Sequence, residues 1–367
     1  MNVTTILNKA REGQRISFEE GVFLYESAPL AELGATANHI RNTKSDPKTV
    51  TYLVDRNINY TNVCTTNCKF CNFYRPPGHE EAYILSREEL DSKIIETKAI
   101  GGTRILMQGG HHPDLPLKWY TDLLEWLRTT HPSIELDCFS PSEIHNLCEV
   151  EGKNAKEILQ ALQNAGLRGL PGGGAELLDD EIRSKVSPKK ISGKRWLEIM
   201  EIAHELDLHT SCSMVIGFGE SIRNRIKHFD LIRNLQDNSL RLHSNGFIAF
   251  IAWPLQYELV PLGKQSRNKG LLGAGSNEYL RNLAMSRIYL DNISHFQASW
   301  PTMGFEIAEV ALAFGADDFG STMLEENVVS QASNDTHCNV RIEEIQSIIK
   351  QAGYEYEQRL TDYSKAL

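Results

Sequence analysis

The sequence predicts an α/β barrel of eight parallel strands, entered through a helical extension and followed by a C-terminal helix. Three observations carry this expectation. Strand-like runs alternate with amphipathic helical runs from residue 51 onward, which is the pattern of a parallel sheet. No low-complexity linker interrupts the series. The runs end in polar or glycine-rich stretches, where folds of this kind keep their chemistry. An open doubly wound sheet has the same pattern, so closure is left to the structure.

The elements follow in order. Residues 1–50 read as helices, with Ser17 and Glu20 spaced as a capping box ahead of Val22, Leu24 and Tyr25. TYLVDRNINY (51–60) is the first strand. Ser86 and Glu89 open a helix that turns Leu90, Ile94 and Ile95 inward and stops at Gly101-Gly102. TRILMQ (103–108), a helix carrying Leu123, Leu124 and Leu127, and IELDCFS (134–140) come next. A helix with Ile158, Leu159 and Leu162 closes at Gly166 and leads to LRGL (167–170). Trp196, Met200 and Ala203 mark the helix before LHTSCSMVIG (208–217), which precedes GFIAFIAW (246–253). A helix through Leu280, Leu283, Ala284 and Ile288 leads to SHFQASW (294–300) and ADDFG (316–320). We therefore expect a helical extension at 1–50, a barrel at 51–335 and a helical segment at 336–367 packed on the barrel.

Composition narrows the function. The 367 residues carry a formal charge of −10 with no basic block, which disfavours binding nucleic acid through its phosphates. The start, MNVTTILNKAREGQRIS, lacks the apolar core of an export signal, and no run approaches the ~20 apolar residues of a membrane span. The expectation is a cytoplasmic protein acting on a small molecule. Its seven cysteines are then reduced thiols. Cys138 and Cys212 sit in apolar runs as small hydrophobes, while Cys148 and Cys338 are isolated.

The remaining three are crowded into NVCTTNCKFCNFYR (62–75) as C-x3-C-x2-C, just after the first strand. A structural zinc site takes four ligands and a disulfide two thiols. Three thiolates in one loop can hold three irons of a [4Fe–4S] cluster and leave the fourth iron open. That reading is favoured over zinc completed by His79 or an electron-transfer cluster completed by a distant cysteine.

C-x3-C-x-Phe-C after the first strand of an α/β barrel resembles the radical S-adenosylmethionine (SAM) enzymes. The resemblance implies a barrel of radical SAM type in which Cys64, Cys68 and Cys71 ligate a [4Fe–4S] cluster and SAM chelates the fourth iron. An electron from the cluster then cleaves SAM to methionine and a 5′-deoxyadenosyl radical. It implies an external donor of flavodoxin or ferredoxin type, and contact of Phe70 with the cofactors. Gly109 and Gly110 match the stretch that binds the methionyl amine, although His111 follows where many members have a carboxylate. Ser140 and Glu143 match contacts to the ribose or methionyl group. Gly217 and Glu220 match the stretch supporting adenine.

The likeness extends over nearly the whole chain to the cyclising branch of the futalosine-pathway radical SAM enzymes, which serve menaquinone formation. RNINYTN (56–62), LPGGGAE (170–176), GFIAFI (246–251), LDN (290–292), QASW (297–300) and DFGSTMLEENVVS (318–330) carry it. The implied reaction takes the C4′ hydrogen from the substrate's ribose-derived part, and the carbon radical attacks a benzoate ring. Asn57, Gly172, Gly173, Gly174, Glu176 and Trp300 are the substrate-contact candidates, with LPGGGAE either a plain turn or a nest for a polar group. Departures fall at Asn72, Ala252, Pro254, Pro301 and Met303. The aminofutalosine-forming and deazaflavin-forming radical enzymes are the neighbouring alternatives. An ordinary role is favoured for His111-His112 and for Arg225 and His228, whereas Glu325 and Glu326 fit proton transfer or capping equally.

Overall fold

The computed structural model describes residues 1–265, 270–333 and 338–366. Three helices, α1 (Val3–Arg11), α2 (Phe18–Ser27) and α3 (Leu30–Lys44), precede the sheet, and the Ser17–Glu20 capping box opens α2. The first strand segment follows as β1 (Thr49–Leu53) and β2 (Asp55–Ile58). Then come α4 (Arg87–Ala99), β3 (Arg104–Met107), α5 (Leu117–Thr130) and β4 (Glu135–Cys138). Next are α6 (Pro141–Glu151), α7 (Ala155–Ala165), β5 (Gly169–Leu170), α8 (Asp180–Val186), α9 (Gly193–Glu205) and β6 (His209–Ile216). The chain continues through α10 (Ile222–His243), β7 (Phe247–Pro254), α11 (Pro261–Lys264), α12 (Ser276–Tyr289) and β8 (His295–Gln297). It ends with α13 (Trp300–Leu312), β9 (Asp318–Ser321), α14 (Ile342–Gln351) and β10 (Glu355–Gln358).

All ladders are parallel, and the sheet order is β10-β1-β9-β8-β7-β6-β5-β4-β3-β2. β1 and β2 are two halves of one extended segment broken only at Val54. β1 pairs with β9, while β2 pairs with β3. The sheet thus curls until its two ends meet along a single stretch of chain, giving eight positions round a barrel.

Two more strands are present than the eight expected. The break at Val54 accounts for one: its carbonyl accepts from Thr103 N at 3.2 Å, where the segment changes partners. β10 accounts for the other. The C-terminal segment was expected to be helical, but after α14 it adds a strand beside β1, with Thr49 in register with Glu355. The ladder is continued by Arg359 N donating to Tyr52 O at 2.9 Å. The expected boundary at 335/336 lies outside the described residues. One helix face also differs, because Ile95 is 53% exposed while Leu90 and Ile94 are buried.

The N-terminal helices cover the outer layer, α3 against α12 and α2 against α10 and α12. Buried Arg41 ties them to the sheet by donating to Pro47 O at 3.0 Å and Thr49 O at 2.6 Å. Among the described residues no helix is long and apolar enough to cross a membrane.

The lower seam is locked by charge. Arg359 donates to both oxygens of Asp318, at 2.5 and 3.2 Å, and both side chains are buried. Removing one partner of such a pair strands the other charge. Arg359→Ala is expected to destabilise the protein by about 3–5 kcal/mol, read as a lowered urea midpoint with unchanged slope.

Candidate active site

The cysteine loop starts where β2 leaves the barrel, and its backbone is pinned on both sides. Cys64 N donates to Arg75 O at 2.9 Å, Arg75 N to Asn62 O at 2.7 Å, and Cys71 N to Cys68 O at 3.1 Å. Lys69 N donates to Val186 O and Leu262 N to Lys69 O, each at 2.8 Å, so α8 and α11 hold the loop from outside. Asn72 Nδ2 donates to Gln331 O at 3.0 Å. Cys64 and Cys68 are buried, Cys71 is partly exposed, and none forms a disulfide.

Gly109 and Gly110 set the height of this loop. A Cβ on Gly110 would lie 2.1 Å from Val63 O and 2.8 Å from Cys64 Cβ; one on Gly109 would strike the Tyr60 ring at 2.6 Å. Both glycines are thus needed for the close approach of β3's end to the cysteine loop. Gly109 N donates to Glu143 Oε1 at 2.9 Å, which also accepts from Tyr60 OH at 2.8 Å. Ser140, the N-cap of α6, donates to Glu143 Oε2 at 2.7 Å. Burial nevertheless pushes the Glu143 carboxyl up to about 7 against the pull of these donors.

The glycine run after β5 lies opposite. Arg183 donates to the carbonyls of Ala175 at 2.6 Å, Gly174 at 3.2 Å and Ile191 at 2.7 Å, folding the run round its guanidinium. Trp196 Nε1 donates to Gly173 O at 3.2 Å, and Ser211 Oγ accepts from Gly172 N at 3.2 Å. Glu176 has a left-handed φ of 41° and accepts from Lys190 Nζ at 2.5 Å and from Arg183 at 3.3 Å. Burial raises the Glu176 carboxyl, but Lys190 and Arg183 outweigh it and hold it below its ordinary value. His111, beside this group, is driven down to about 3, by burial first and then by the Lys190 charge, so its imidazole is neutral.

These parts surround a cavity of about 460 Å³ running down the barrel. Cys64, Cys68, Cys71, Phe70, Gly109, Gly110, Ser140, Glu143, Asn57, Gly172, Gly173, Gly174 and Glu176 all line it. Three expected residues do not. Trp300 is buried in the core, its Nε1 donating to Ser321 O at 3.1 Å, and its neighbour Pro301 reaches the cavity instead. Glu220 accepts from the backbone N–H groups of Gly217 at 2.9 Å and Phe218 at 2.7 Å and pairs with Arg225 at 2.6 Å, so it fixes its own turn. Gly217 packs on Gly273, where a Cβ would come within 2.7 Å of backbone.

The two acids after β9 are engaged in local contacts, and Glu326 also lines the cavity. Glu326 accepts from Val328, Val329 and Ser330 N–H groups, and Glu325 pairs with Arg56 and Lys93. Sequence reasoning missed Lys190, Trp253 and Gln297, which also line the cavity. Lys190 had no motif to mark it; Trp253 and Gln297 stood in quoted stretches, on strands whose inward face could have been counted.

The donor set fits a [4Fe–4S] cluster. Burial pushes the Cys68 thiol up to about 11 and raises that of Cys71, so these sulfurs lose their protons only to a strong positive partner. Among the described residues no three His, Cys, Asp or Glu side chains converge on a single-ion site. A cluster asks for a wider spread, one thiolate for each of three irons.

Comparison with known proteins agrees with this geometry. Residues 58–232 match the family model "Radical SAM superfamily", and residues 244–366 match "CofH/MqnC C-terminal region". Cyclic dehypoxanthine futalosine synthase of Halalkalibacterium halodurans is 43% identical, over 99% of this chain and 95% of its own. Aminodeoxyfutalosine synthase of Thermus thermophilus is 35% identical, over 95% of this chain and 91% of its own. The solved structure of methylornithine synthase (PylB) superposes with a TM-score of 0.71 at 15% identity, covering 96% of this chain and 97% of its own, a likeness of fold.

Two outcomes are expected of this site. Gly110→Ala must push the cysteine loop outward, so reconstituted iron should fall below about half the wild-type content while the far-UV spectrum is kept. Glu143 holds its proton more tightly folded than unfolded. Its ionisation therefore costs nothing well below pH 4.5, and the cost grows as the pH climbs to about 7. Wild type should lose roughly 3 kcal/mol of stability relative to Glu143→Gln across that window, measured by urea unfolding at each pH.

Proposed function

The chain belongs to the radical SAM superfamily, and we propose that within it this enzyme converts dehypoxanthine futalosine to its cyclic form, a step toward menaquinone. The full-length similarity to cyclic dehypoxanthine futalosine synthase carries the proposal. The cavity supports it. Its lining includes Leu106, Ile251, Trp253, Met323 and Val328, which suit contact with an aromatic ring. Interleaved with these on neighbouring strands are Asn57, Ser211, Ser213 and Gln297, which suit the hydroxyls of a sugar.

Cys64, Cys68 and Cys71 would hold a [4Fe–4S] cluster, which with SAM would supply a 5′-deoxyadenosyl radical able to take hydrogen from an unactivated carbon. The chain's own share is placement. Phe70 covers the loop with its edge on Phe218, ring centroids 5.5 Å apart, and excludes water there. Gly109, Gly110, Ser140 and Glu143 form the wall for SAM. Asn57 and the Gly172–Gly174 run would hold the ribose-derived part and the apolar lining residues the benzoate ring, keeping the two parts of the substrate close together. The electron donor is an external protein of flavodoxin or ferredoxin type.

The test is incubation of the reconstituted enzyme with dehypoxanthine futalosine, SAM and dithionite. The expected product has the substrate mass less two hydrogens, and deuterium placed at C4′ should appear in 5′-deoxyadenosine. No turnover of dehypoxanthine futalosine, with adenosyl addition to an enolpyruvyl benzoate supplied in its place, would instead make the enzyme an aminofutalosine synthase. Turnover without deuterium transfer would remove the C4′ step.

A further inference from the structure

A cation is built into the wall beside the cysteine loop. Lys190 lies between α8 and α9 and lines the cavity together with Cys64, Cys68 and Cys71. Two hydrogen bonds fix its segment to that loop: Lys69 N donates to Val186 O at 2.8 Å, and Lys69 Nζ to Lys185 O at 2.6 Å. The Lys190 ammonium stands 5.8 Å from the centroid of Phe70, the residue that precedes Cys71.

The charge count there is uneven. Lys190 and Arg183 share a single carboxylate, Glu176, at 2.5 and 3.3 Å, and all three side chains are nearly buried. His111 is neutral. Glu143, which also feels the Lys190 charge, is pushed up to about 7 by burial, so below that pH one positive charge is left over, in surroundings where water screens it little. A buried ion group normally balances its charges or pays for the excess in desolvation. The excess therefore points to an anionic neighbour, and the three cysteines line the same cavity, with Phe70 of their loop beneath the Lys190 ammonium.

We propose that the Lys190–Glu176–Arg183 group is a positioning device for charge, whose net positive unit makes one-electron reduction of a cluster on Cys64, Cys68 and Cys71 more favourable. The electron comes from an external one-electron donor, and no bond is made or broken in this step. Net charge near the cluster is one of the levers by which a protein sets such a potential. The inference rests on cluster binding by the family and not on the substrate reading, since no substrate takes part.

The test is a redox titration of reconstituted, SAM-free protein followed by electron paramagnetic resonance. Lys190→Met should make reduction at least about tenfold less favourable, a midpoint lower by about 59 mV for one electron. Glu176→Gln should move the midpoint the other way, and Lys190→Arg should restore it. Iron content per chain controls for cluster loss; if Lys190→Met loads poorly, Glu176→Gln and Lys190→Arg decide. Unchanged midpoints, or shifts of both substitutions in one direction, overturn the proposal. So does weaker SAM binding by Lys190→Met at an unaltered SAM-free midpoint, which would make Lys190 a SAM contact alone.

Discussion

A parallel sheet must satisfy the hydrogen bonds of both its edges, and here a single stretch of chain, Thr49–Leu53 and Asp55–Ile58, does so. Its first half bonds to β9 and β10 and its second half to β3. The change of partner at Val54 lets one segment close the barrel between β9 and β3, with β10 added outside β1 as an edge strand. The cysteine loop hangs from the end of this segment, so whatever fixes the seam also fixes Cys64, Cys68 and Cys71. The contact of Gly110 with Val63 O then sets the loop's depth against β3.

The interior is more charged than a barrel core usually is. Arg104 spans Asp55 and Asp137, Arg359 holds Asp318, and Arg287 pairs with Asp317, all facing or flanking the lower barrel. Each arginine spends its donors on carboxylates or carbonyls, which is the condition under which buried charge is tolerable. The cysteine end differs, because there two cations meet one carboxylate. The contrast separates a carboxylate-rich stretch of the cavity wall from one beside the cysteines where cations outnumber carboxylates.

Much of this was legible in the sequence. Strands buried on both faces read as near-continuous apolar runs, and all eight runs became strands or strand pairs. The C-x3-C-x2-C spacing located the site because the ligands are adjacent in sequence. What was not legible depended on distant partners. EYEQ (355–358) is polar and shows no strand signal; it is a strand only because β1 offers it a free edge. Glu220 and Trp300 stood in the expected stretches, but the side chain of one turned to Arg225 and that of the other into the core. Lys190 became part of the site through a carboxylate well upstream of it. Position along a motif does not reveal which way a side chain faces.

The seam has a kinetic side. Most neighbouring strands round the barrel are joined by one crossover, so their contacts close short loops. The pairing of Thr49 with Glu355, and of Thr51 with Asp318, joins parts from opposite ends of the described chain. Such contacts carry a large loop-closure entropy and form after the local units. Until then β1 has bare edges, the state in which strands pair with other molecules. Yield of soluble protein should therefore be governed by the race between closing this seam and intermolecular pairing, more than by the stability of the finished barrel.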